Sequence, residues 1–357
     1  MTNYIARPTR LLAAGAVALG LGATGVASAA DSADASPKEF FKDNVLTMIL
    51  GAGPGGGYDL YARTVMKHLV KHIPGQPNFI LQFMPGGGGQ KAASYFYNVA
   101  PRDGAKLAKL SNMLPAFQLL RGNVKYDVTK LNYIGRAASM QYVMMVWHTT
   151  GVKSLADAQK AKTPIIFGSS GASQSNYIVP TVMQKLLGLN VKVIAGYPGT
   201  AAINKALEQG EVTGRAGAWS SWVSAGKRFL DDKLVVAIAQ SGLEKATDVR
   251  DGYGQPTPLL LDMAKNDEER AILKLLASDA AVGRNFSVPP EVPKARVEAL
   301  CRAFDATMVD KAFLEEAKRH KLLIEPKSCE WLTAVAKDVV ATPKPLVAKA
   351  KKLLGWK

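Results

Sequence analysis

Residues 50–59 read Leu50-Gly51-Ala52-Gly53-Pro54-Gly55-Gly56-Gly57-Tyr58-Asp59. This glycine-rich segment follows an apolar, strand-like run at 45–50 and precedes a run with helical spacing at 58–73. Glycine leaves no side chain between the backbone N–H groups and a ligand, and the first turn of a helix offers unpaired donors and a favourable dipole. The segment is therefore predicted to be an anion-binding junction, with Asp59 as a cap or first-turn residue of the helix.

A second glycine-rich loop has the same place between a strand and a helix. Strand-like residues 78–83 precede Met84-Pro85-Gly86-Gly87-Gly88-Gly89, and a helical run at 90–99 follows. If the two strands are parallel neighbours, both loops lie at the same edge of the sheet, where open α/β sheets bind ligands. A third strand is predicted at 105–110 and ends at Ser111-Asn112.

The alternation of strands and helices continues in the second half of the chain. An extended apolar segment at 132–147 is predicted to cross into a second lobe, with further strands at 165–168, 191–195, 212–217 and 234–239. The loops after these strands are again rich in glycine and hydroxyl groups. The C-terminal part is predicted to be mostly helical, at 293–308, 311–320 and 328–340.

Residues 1–30 have the pattern of a secretory signal peptide. Arg7 and Arg10 precede an apolar segment at 11–26, and small residues around Ala29 and Ala30 form a cleavage site. The apolar segment is shorter than a membrane span requires, so a mature exported protein is expected.

Length and charge restrict the function further. About 325 residues follow the leader, more than one core usually holds, so two lobes are predicted: 31–142 with 251–357, and 143–250. The net charge of +16 becomes +14 without Arg7 and Arg10, which suits an acidic small ligand. The basic residues are spread along the chain without a recognition motif, so no nucleic-acid partner is predicted.

Other functions fit the glycine-rich loops less well. Gly51-x-Gly53-x-x-Gly56 matches the dinucleotide fingerprint, but Pro54 interrupts it and an exported protein seldom meets NAD. Neither loop ends in the Gly-Lys-Ser/Thr of a phosphate-binding P-loop. The serines near Ser170 lack the Gly-x-Ser-x-Gly elbow, so an exported hydrolase using a loop serine is kept only as an alternative.

No metal site or cofactor is predicted. His68 and His72 are four residues apart, but no glutamate stands beside His68, and both are expected at the surface. The two cysteines, Cys301 and Cys329, could form a disulfide in an exported protein or remain free thiols, and their spacing leaves both open.

Taken together, the motifs resemble one family. The ordered set comprises Gly55-Gly56-Gly57-Tyr58-Asp59, Pro85-Gly86-Gly87-Gly88-Gly89, Asp103-Gly104, Phe167-Gly168-Ser169-Ser170-Gly171, and Tyr197-Pro198-Gly199-Thr200 through Gly214-Arg215. It is similar to the periplasmic solute receptors of tripartite tricarboxylate transporters, the Bug-type binding proteins. The resemblance covers most of the mature chain. It implies an α/β fold of the type II periplasmic-binding-protein kind, in which two lobes with open β-sheets flanked by helices surround a central cleft.

The resemblance also implies a function. A monomeric, non-enzymatic periplasmic receptor would capture a small organic carboxylate, such as a di- or tricarboxylate, and deliver it to membrane permease subunits; a carboxylate sensor is a further alternative. Loops of the first lobe would hold one carboxylate through backbone N–H groups and ordered water. The predicted ligand-binding residues are Gly56, Gly57, Tyr58, Asp59, Pro85, Gly86, Gly87, Ser111, Ser170, Gly171, Ser173, Tyr197, Gly199, Thr200 and Trp219.

Two positions depart from the family pattern. Pro198 stands where a lysine is common, and Ala216-Gly217-Ala218-Trp219 replaces a strand end that commonly bears a carboxylate. Both departures concern the second lobe, where the resemblance implies that specificity is set. A tryptophan there suits a larger or more apolar carboxylate.

Overall fold

A computed structural model of the chain describes residues 35–356. The signal peptide predicted at 1–30 lies outside the described residues and stays a prediction. Within the described range, no helix combines the length and the apolar character that crossing a membrane requires.

The first of two five-stranded mixed sheets contains both strands that precede the glycine-rich loops. Its strands are β1 (Leu46–Leu50), β2 (Phe79–Phe83), β3 (Lys106–Lys109), β4 (Asn132–Arg136) and β10 (Asn285–Val288), in the spatial order β2-β1-β3-β10-β4. β1 is parallel to both β2 and β3, whereas β10 is antiparallel to its two neighbours. The glycine-rich loops after β1 and β2 therefore lie at one edge of the sheet, as predicted.

The second sheet repeats this arrangement. It consists of β5 (Tyr142–Trp147), β6 (Ile165–Ser169), β7 (Val191–Ala195), β8 (Gly214–Ala218) and β9 (Val235–Ser241), in the order β7-β6-β8-β5-β9. β6 is parallel to β7 and β8, and β5 is antiparallel to β8 and β9. Counted in spatial order, the fourth strand of each sheet, β10 in the first and β5 in the second, is thus antiparallel to its two neighbours.

The chain passes between the sheets twice, at 137–141 and at 242–284. The extended segment predicted at 132–147 is therefore two strands, one in each sheet, joined by a short crossing. The two crossings lie side by side, because Ala137 N–H donates to Arg284 O (2.9 Å) and Arg284 N–H donates to Ala138 O (2.8 Å). This pairing places Arg284 at the junction of the sheets.

Helices cover the sheets, and the apolar stripe predicted after Tyr58 is buried in the core of the first one. The helices are α1 (Pro37–Asp43), α2 (Gly57–His72), α3 (Gln90–Asn98), α4 (Leu114–Arg121), α5 (Leu155–Lys160), α6 (Ser175–Leu187), α7 (Thr200–Glu208), α8 (Trp219–Val223), α9 (Lys227–Asp231), α10 (Asp267–Leu276), α11 (Asp279–Val282), α12 (Lys294–Met308), α13 (Lys311–Arg319), α14 (Cys329–Val340) and α15 (Lys344–Leu354).

An apolar cluster connects helices that follow strands of different sheets. It joins Leu120 of α4, Val182 of α6, Ile272 of α10, and Ala350 and Leu354 of α15. The C-terminal helix therefore packs beside elements of both sheets. The lobe boundaries predicted after residues 142 and 250 stay a prediction.

Gly135 in β4 offers a test of how closely α12 packs on the first sheet. Its φ is +147°, and a Cβ at this position would lie 2.2 Å from Phe304 Cε1. We expect Gly135→Ala to lower the free energy of unfolding by roughly 2–5 kcal/mol, through backbone strain and the clash with Phe304. Chemical denaturation of both proteins measures the difference.

Gly122→Ala is the matched control, because Gly122 also has a positive φ (+70°) but has nothing within 4 Å of the added Cβ. Its cost should be about 1 kcal/mol, from the backbone conformation alone. Equal losses in the two variants would contradict the close contact with Phe304.

Candidate ligand-binding site

A small cavity of about 40 Å³ lies between the two sheets, where their loop edges meet. The N-terminus of α2 and Arg284 form the part next to the first sheet, and β8 forms the part next to the second. The lining residues are Gly57, Tyr58, Met140, Tyr142, Asn176, Thr200, Arg215, Ala216, Gly217, Ala218, Ser221 and Arg284.

The N-terminus of α2 is the anion-binding junction predicted from the sequence. Gly56 is the N-cap, has an extended backbone (φ −103°, ψ −179°) and provides no side-chain cap. Asp59 accepts hydrogen bonds from Gly55 N–H (2.8 Å) and from Arg63 Nε (2.6 Å), so its carboxylate holds the loop in place. The first N–H groups of a helix have no acceptor within the helix, so those of α2 can bind an anion.

Arg284 brings a positive charge next to this helix N-terminus. Its side chain is only 1% exposed, and Nη2 donates to Ser221 Oγ (2.8 Å) and Ser220 Oγ (3.2 Å). The guanidinium carbon lies 4.5 Å from the ring centroid of Tyr61. Nε has no hydrogen-bond partner, and no Asp or Glu within residues 35–356 forms an ion pair with Arg284.

Arg215 of β8 is the second buried guanidinium of the cavity, with 2% of its surface exposed. Its guanidinium carbon lies 3.5 Å from the centroid of the Trp222 ring, and Nε and Nη2 donate to no acceptor in the described part of the chain. Burial lowers the pKa of Arg215 to about 9, and the nearby Tyr142 only partly opposes this effect. The group is a desolvated cation without a counter-ion.

A buried lysine adds to the positive charge nearby. Lys109, the last residue of β3, donates from Nζ to Leu110 O (2.7 Å) and lies 3.8 Å from the ring centroid of Tyr58. Burial and then the charge of Arg284 lower the pKa of Lys109 well below its ordinary value. Burial also raises the pKa of Tyr58 to about 12, and the Tyr58 hydroxyl donates to Asn112 Oδ1 (2.5 Å).

Asp279 is a buried acid that connects the loops of the two sheets. Its carboxylate accepts a hydrogen bond from Asn112 Nδ2 (2.9 Å), after β3, and another from the hydroxyl of Ser175, at the start of α6. Burial raises the pKa of Asp279 to about 7, although these hydrogen bonds oppose the shift. The acid is thus about half protonated at pH 7, which reduces the negative charge beside the cavity.

The second glycine-rich loop contacts the opposite sheet's loops and does not line the cavity. Gly86, Gly87, Gly88 and Gly89 all have positive φ values. Ser173 Oγ donates to Gly87 O (2.9 Å) and to Gly88 O (3.0 Å). In this conformation the loop joins the two sides of the cleft.

Close backbone contacts also join the two sides of the cleft. A Cβ on Gly171 would lie 2.6 Å from Gly88 N. Gly53 N–H donates to Pro198 O (2.8 Å), and Gly199 is next to the same Gly53 backbone. The proline at 198 therefore contributes its carbonyl to a contact across the cleft.

The predicted ligand-binding residues fall into three groups. Gly57, Tyr58 and Thr200 line the cavity. A second group, at the contact across the cleft, comprises Gly56, Gly87, Gly171, Ser173 and Gly199. The third group lies outside the cavity lining and comprises Asp59, Pro85, Gly86, Ser111, Ser170, Tyr197 and Trp219.

Several members of the third group have other partners. The Trp219 indole N–H donates to Asp248 Oδ2 (2.9 Å) in a separate groove. The Tyr197 hydroxyl donates to Glu211, and Ser111 Oγ accepts from Met113 N–H (3.2 Å). Ser170 is hydrogen-bonded to Asn176, which does line the cavity.

Sequence reasoning missed Arg215, Arg284, Tyr142, Asn176 and Ser221. One signal was available, since Arg215 is the single charge in Gly214-Arg215-Ala216-Gly217-Ala218, and a charge in a buried strand needs a partner. Arg284 carries no comparable local signal, because only the return of β10 to the first sheet brings it here.

Two predictions concern residues away from the cavity. The expected surface position of His68 is wrong: it is 3% exposed and its Nε2 lies 2.9 Å from Glu316 Oε2. His72 Nε2 lies 3.0 Å from Asp310 Oδ2, so α13 and its N-cap provide acidic partners for both histidines. Residues 35–356 contain no group of three or more His, Cys, Asp or Glu suited to a metal ion.

Cys301 and Cys329 are both free thiols in this structure. A hydrogen bond with Cys329, followed by burial, raises the pKa of the Cys301 thiol, so the two groups are neighbours. The structure has the free-thiol form of the two alternatives that the sequence leaves open.

The chain resembles known proteins in its structure and not in its overall sequence. No protein-family model and no curated protein matches the sequence. Solved structures do match: BugD, a periplasmic binding protein, has a TM-score of 0.68 at 18% identity, covering 86% of this chain and 98% of its own. The chain has the fold of the periplasmic binding proteins.

Two further proteins with this periplasmic-binding-protein fold were solved with ligands. The R. palustris protein Rpa4515 with adipate has a TM-score of 0.67 at 17% identity, covering 87% of this chain and 97% of its own. MatC from Rhodopseudomonas palustris with bound malate has a TM-score of 0.65 at 15% identity, covering 87% and 99%. The predicted fold class is confirmed, and the resemblance to Bug-type receptors is confirmed at the level of the fold.

The raised pKa of Asp279 predicts a pH dependence of stability in this fold. Between its ordinary pKa of 3.8 and its folded value of about 7, the folded protein holds a proton that the unfolded chain releases. The contribution of this group to stability is therefore full below about pH 4 and is lost as the pH rises through about 7. Without ligand, the stability of the wild type relative to Asp279→Asn should fall by on the order of 4 kcal/mol over this range.

Chemical denaturation at a series of pH values from 4 to 8 measures this difference. Asp232→Asn, at an exposed aspartate, is the control and should give a curve parallel to that of the wild type. If the Asp279→Asn curve is parallel as well, Asp279 does not have the raised pKa.

Proposed function

We propose that the protein is a periplasmic solute-binding receptor that captures a small organic carboxylate and delivers it to a tripartite tricarboxylate-type secondary transporter. The observation that carries this proposal is the cavity between the sheets, with two buried guanidinium groups and a helix N-terminus around it. Such a site offers positive charge and N–H donors to an anion, and no described residue supplies that anion.

The fold neighbours support the ligand class. Adipate and malate, the ligands of Rpa4515 and MatC, are both dicarboxylates. A carboxylate bound at the first turn of α2 would accept from backbone N–H groups near Gly57 and Tyr58 and from Arg284. Charge-assisted hydrogen bonds contribute roughly 1.5–3 kcal/mol each, so a few of them account for specific capture.

Capture and release would follow from movement of one sheet relative to the other. The two crossings at 137–141 and 242–284 are paired beside Arg284 and are suited to act as a hinge. A ligand that contacts both sides stabilises the closed arrangement, in which Gly53 bonds to Pro198 and Ser173 bonds to the second glycine-rich loop.

A basic groove beside the α2 N-terminus supports anion capture. Its lining includes Arg63, Lys227, Arg319, His320 and Lys321. Basic residues around the opening of a cleft raise the local concentration of anions and the rate of encounter.

The lining of the cavity favours binding without catalysis. Within residues 35–356 no histidine and no acid lines it, so these residues provide no ordinary general base for a serine nucleophile. Ser173 donates to the backbone carbonyls of Gly87 and Gly88. Under the proposal the carboxylate leaves unchanged, the permease subunits are the protein partners, and the receptor acts as a monomer.

A thermal-shift screen tests the ligand class directly. Malate, succinate, adipate and citrate, each at millimolar concentration, should include at least one compound that raises the Tm by a few degrees, because ligand binding stabilises the folded state. Mass spectrometry of the mixture should recover the compound unchanged. A screen in which no carboxylate raises the Tm would refute the proposed function.

Gly57→Ala tests whether closure around α2 is needed. A Cβ on Gly57 would lie 2.1 Å from Ser221 Oγ and 3.0 Å from Arg284 Nη2, yet Gly57 has no positive φ, so alanine does not strain the helix. The affinity for the stabilising carboxylate should fall roughly 10- to 100-fold by calorimetry, because the clash opposes closure.

Gly210→Ala is the control for this variant, since nothing lies within 4 Å of an added Cβ at Gly210. Its affinity should equal that of the wild type. An unchanged affinity in Gly57→Ala would show that ligand binding does not require the observed closure.

A further inference from the structure

We propose that Arg215 is the specificity-determining residue of this cavity and makes the site demand a second negative charge. Arg284 and the N-terminus of α2 would bind the first carboxylate of the ligand, and Arg215 would bind the second. The inference rests on the proposed receptor function and adds to it: monocarboxylates and zwitterionic amino acids are rejected.

Two of the three guanidinium nitrogens of Arg215 lack a hydrogen-bond acceptor among the described residues. The residue is 2% exposed, it lines the cavity, and these two nitrogens are Nε and Nη2. The guanidinium lies against the face of Trp222, 3.5 Å from the ring centroid, and interacts electrostatically with Tyr142. An aromatic face attracts a cation but does not accept the in-plane N–H bonds of a guanidinium, so those bonds are left for a ligand.

The surroundings of Arg215 fix its position at the cavity. The neighbouring residues of β8 are glycine and alanine, and a Cβ on Gly217 would lie 2.5 Å from Arg215 Nη1. The side chain therefore runs along the strand past Gly217, towards the edge of the sheet that faces α2. This space exists only because position 217 has no side chain.

Arg284 occupies a different place with different partners. Its Nη2 is already bonded to Ser220 and Ser221, and it lies 3.0 Å from the position of a Cβ on Gly57. It therefore belongs with the helix N-terminus. Arg215 comes from a strand of the second sheet, whereas Arg284 directly precedes a strand of the first, so one ligand with two anionic ends would pair with both.

The charge balance explains the rejection of amino acids. Among the described residues that line the cavity none is acidic, so an ammonium group would have no carboxylate there to pair with and would lie near two guanidinium groups. Asp279, the buried acid nearby, already accepts from Asn112 and Ser175. Repulsion of this kind discriminates against a wrong ligand as effectively as attraction selects the right one.

Calorimetric titration of the full chain at pH 7.5 tests the inference with four probes: malonate, succinate, propionate and aspartate. The wild type should bind its better dicarboxylate at least about 30-fold more tightly than propionate or aspartate, as expected when one guanidinium–carboxylate pair is lost. Arg215→Met should lose most of this advantage, and its affinity for propionate should stay within about threefold of the wild type. Arg215→Lys, which keeps the charge but not the planar fork, should retain part of it.

Arg228→Met is the matched control, because Arg228 is exposed on α9 and pairs with Glu208 away from the cavity. It should preserve the wild-type selectivity. Circular dichroism and Tm show whether each variant is folded, and the selectivity of the wild type tests the inference even if Arg215→Met does not fold.

Two results would overturn the inference while leaving the receptor function intact. The first is that the wild-type protein binds propionate or aspartate as tightly as it binds malonate and succinate. The other is an Arg215→Met variant that loses propionate and dicarboxylate binding in equal proportion, because Arg215 would then support the site as a whole. Absence of binding by every carboxylate would instead refute the receptor function together with the inference.

Discussion

Arg215 and Arg284 are buried between the two sheets, and no carboxylate within residues 35–356 forms an ion pair with either of them. A buried charge is unfavourable unless it is paired and hydrogen-bonded, and this structure supplies aromatic faces and hydroxyl groups but no counter-ion. The free energy of folding of the rest of the protein has to offset the unfavourable burial of these two charges. An unsatisfied cation of this kind is best understood as half of an interaction that a ligand completes.

Both sheets contribute to this arrangement through the same strand pattern. In spatial order the fourth strand of each sheet, β10 or β5, is antiparallel and follows a crossing segment, so the proposed hinge lies where the sheets join. The crossing at 242–284 carries Arg284, whereas β8 carries Arg215. Under the proposed function, movement of one sheet relative to the other would change the separation of the two guanidinium groups and link ligand recognition to closure.

The glycine-rich loops have two different roles in this structure. The loop before α2 exposes a helix N-terminus to the cavity, because Gly56 and Gly57 put no side chain in front of it. The loop at Gly86–Gly89 needs glycine for its backbone conformation and for the close approach of Gly171. Similar sequences thus serve recognition in one case and contact between the sheets in the other.

Local sequence patterns determined most of the secondary structure, and the ordered motifs, through their resemblance to a family, implied the fold class. Apolar runs and glycine-rich loops placed the strands at 46–50, 79–83 and 191–195 within a residue or so, because these patterns depend on neighbours along the chain. The same reasoning selected the α2 N-terminus, Tyr58 and Thr200, and all three line the cavity. It placed the crossing between the sheets within 132–147 but left this segment undivided, since no turn motif marks the change from β4 to β5.

Only the tertiary structure decided which charges meet. Arg215 and Arg284 are separated by a whole strand and several helices, and they share a cavity because β10 returns to the first sheet after the second is complete. The structure likewise turned Trp219 towards Asp248 and buried His68 against Glu316. Sequence patterns report periodicity over a few residues, whereas pairing of buried charges depends on contacts between distant segments. For that reason the fold and the cavity-lining position of the α2 N-terminus were predictable, and the two buried arginines were not.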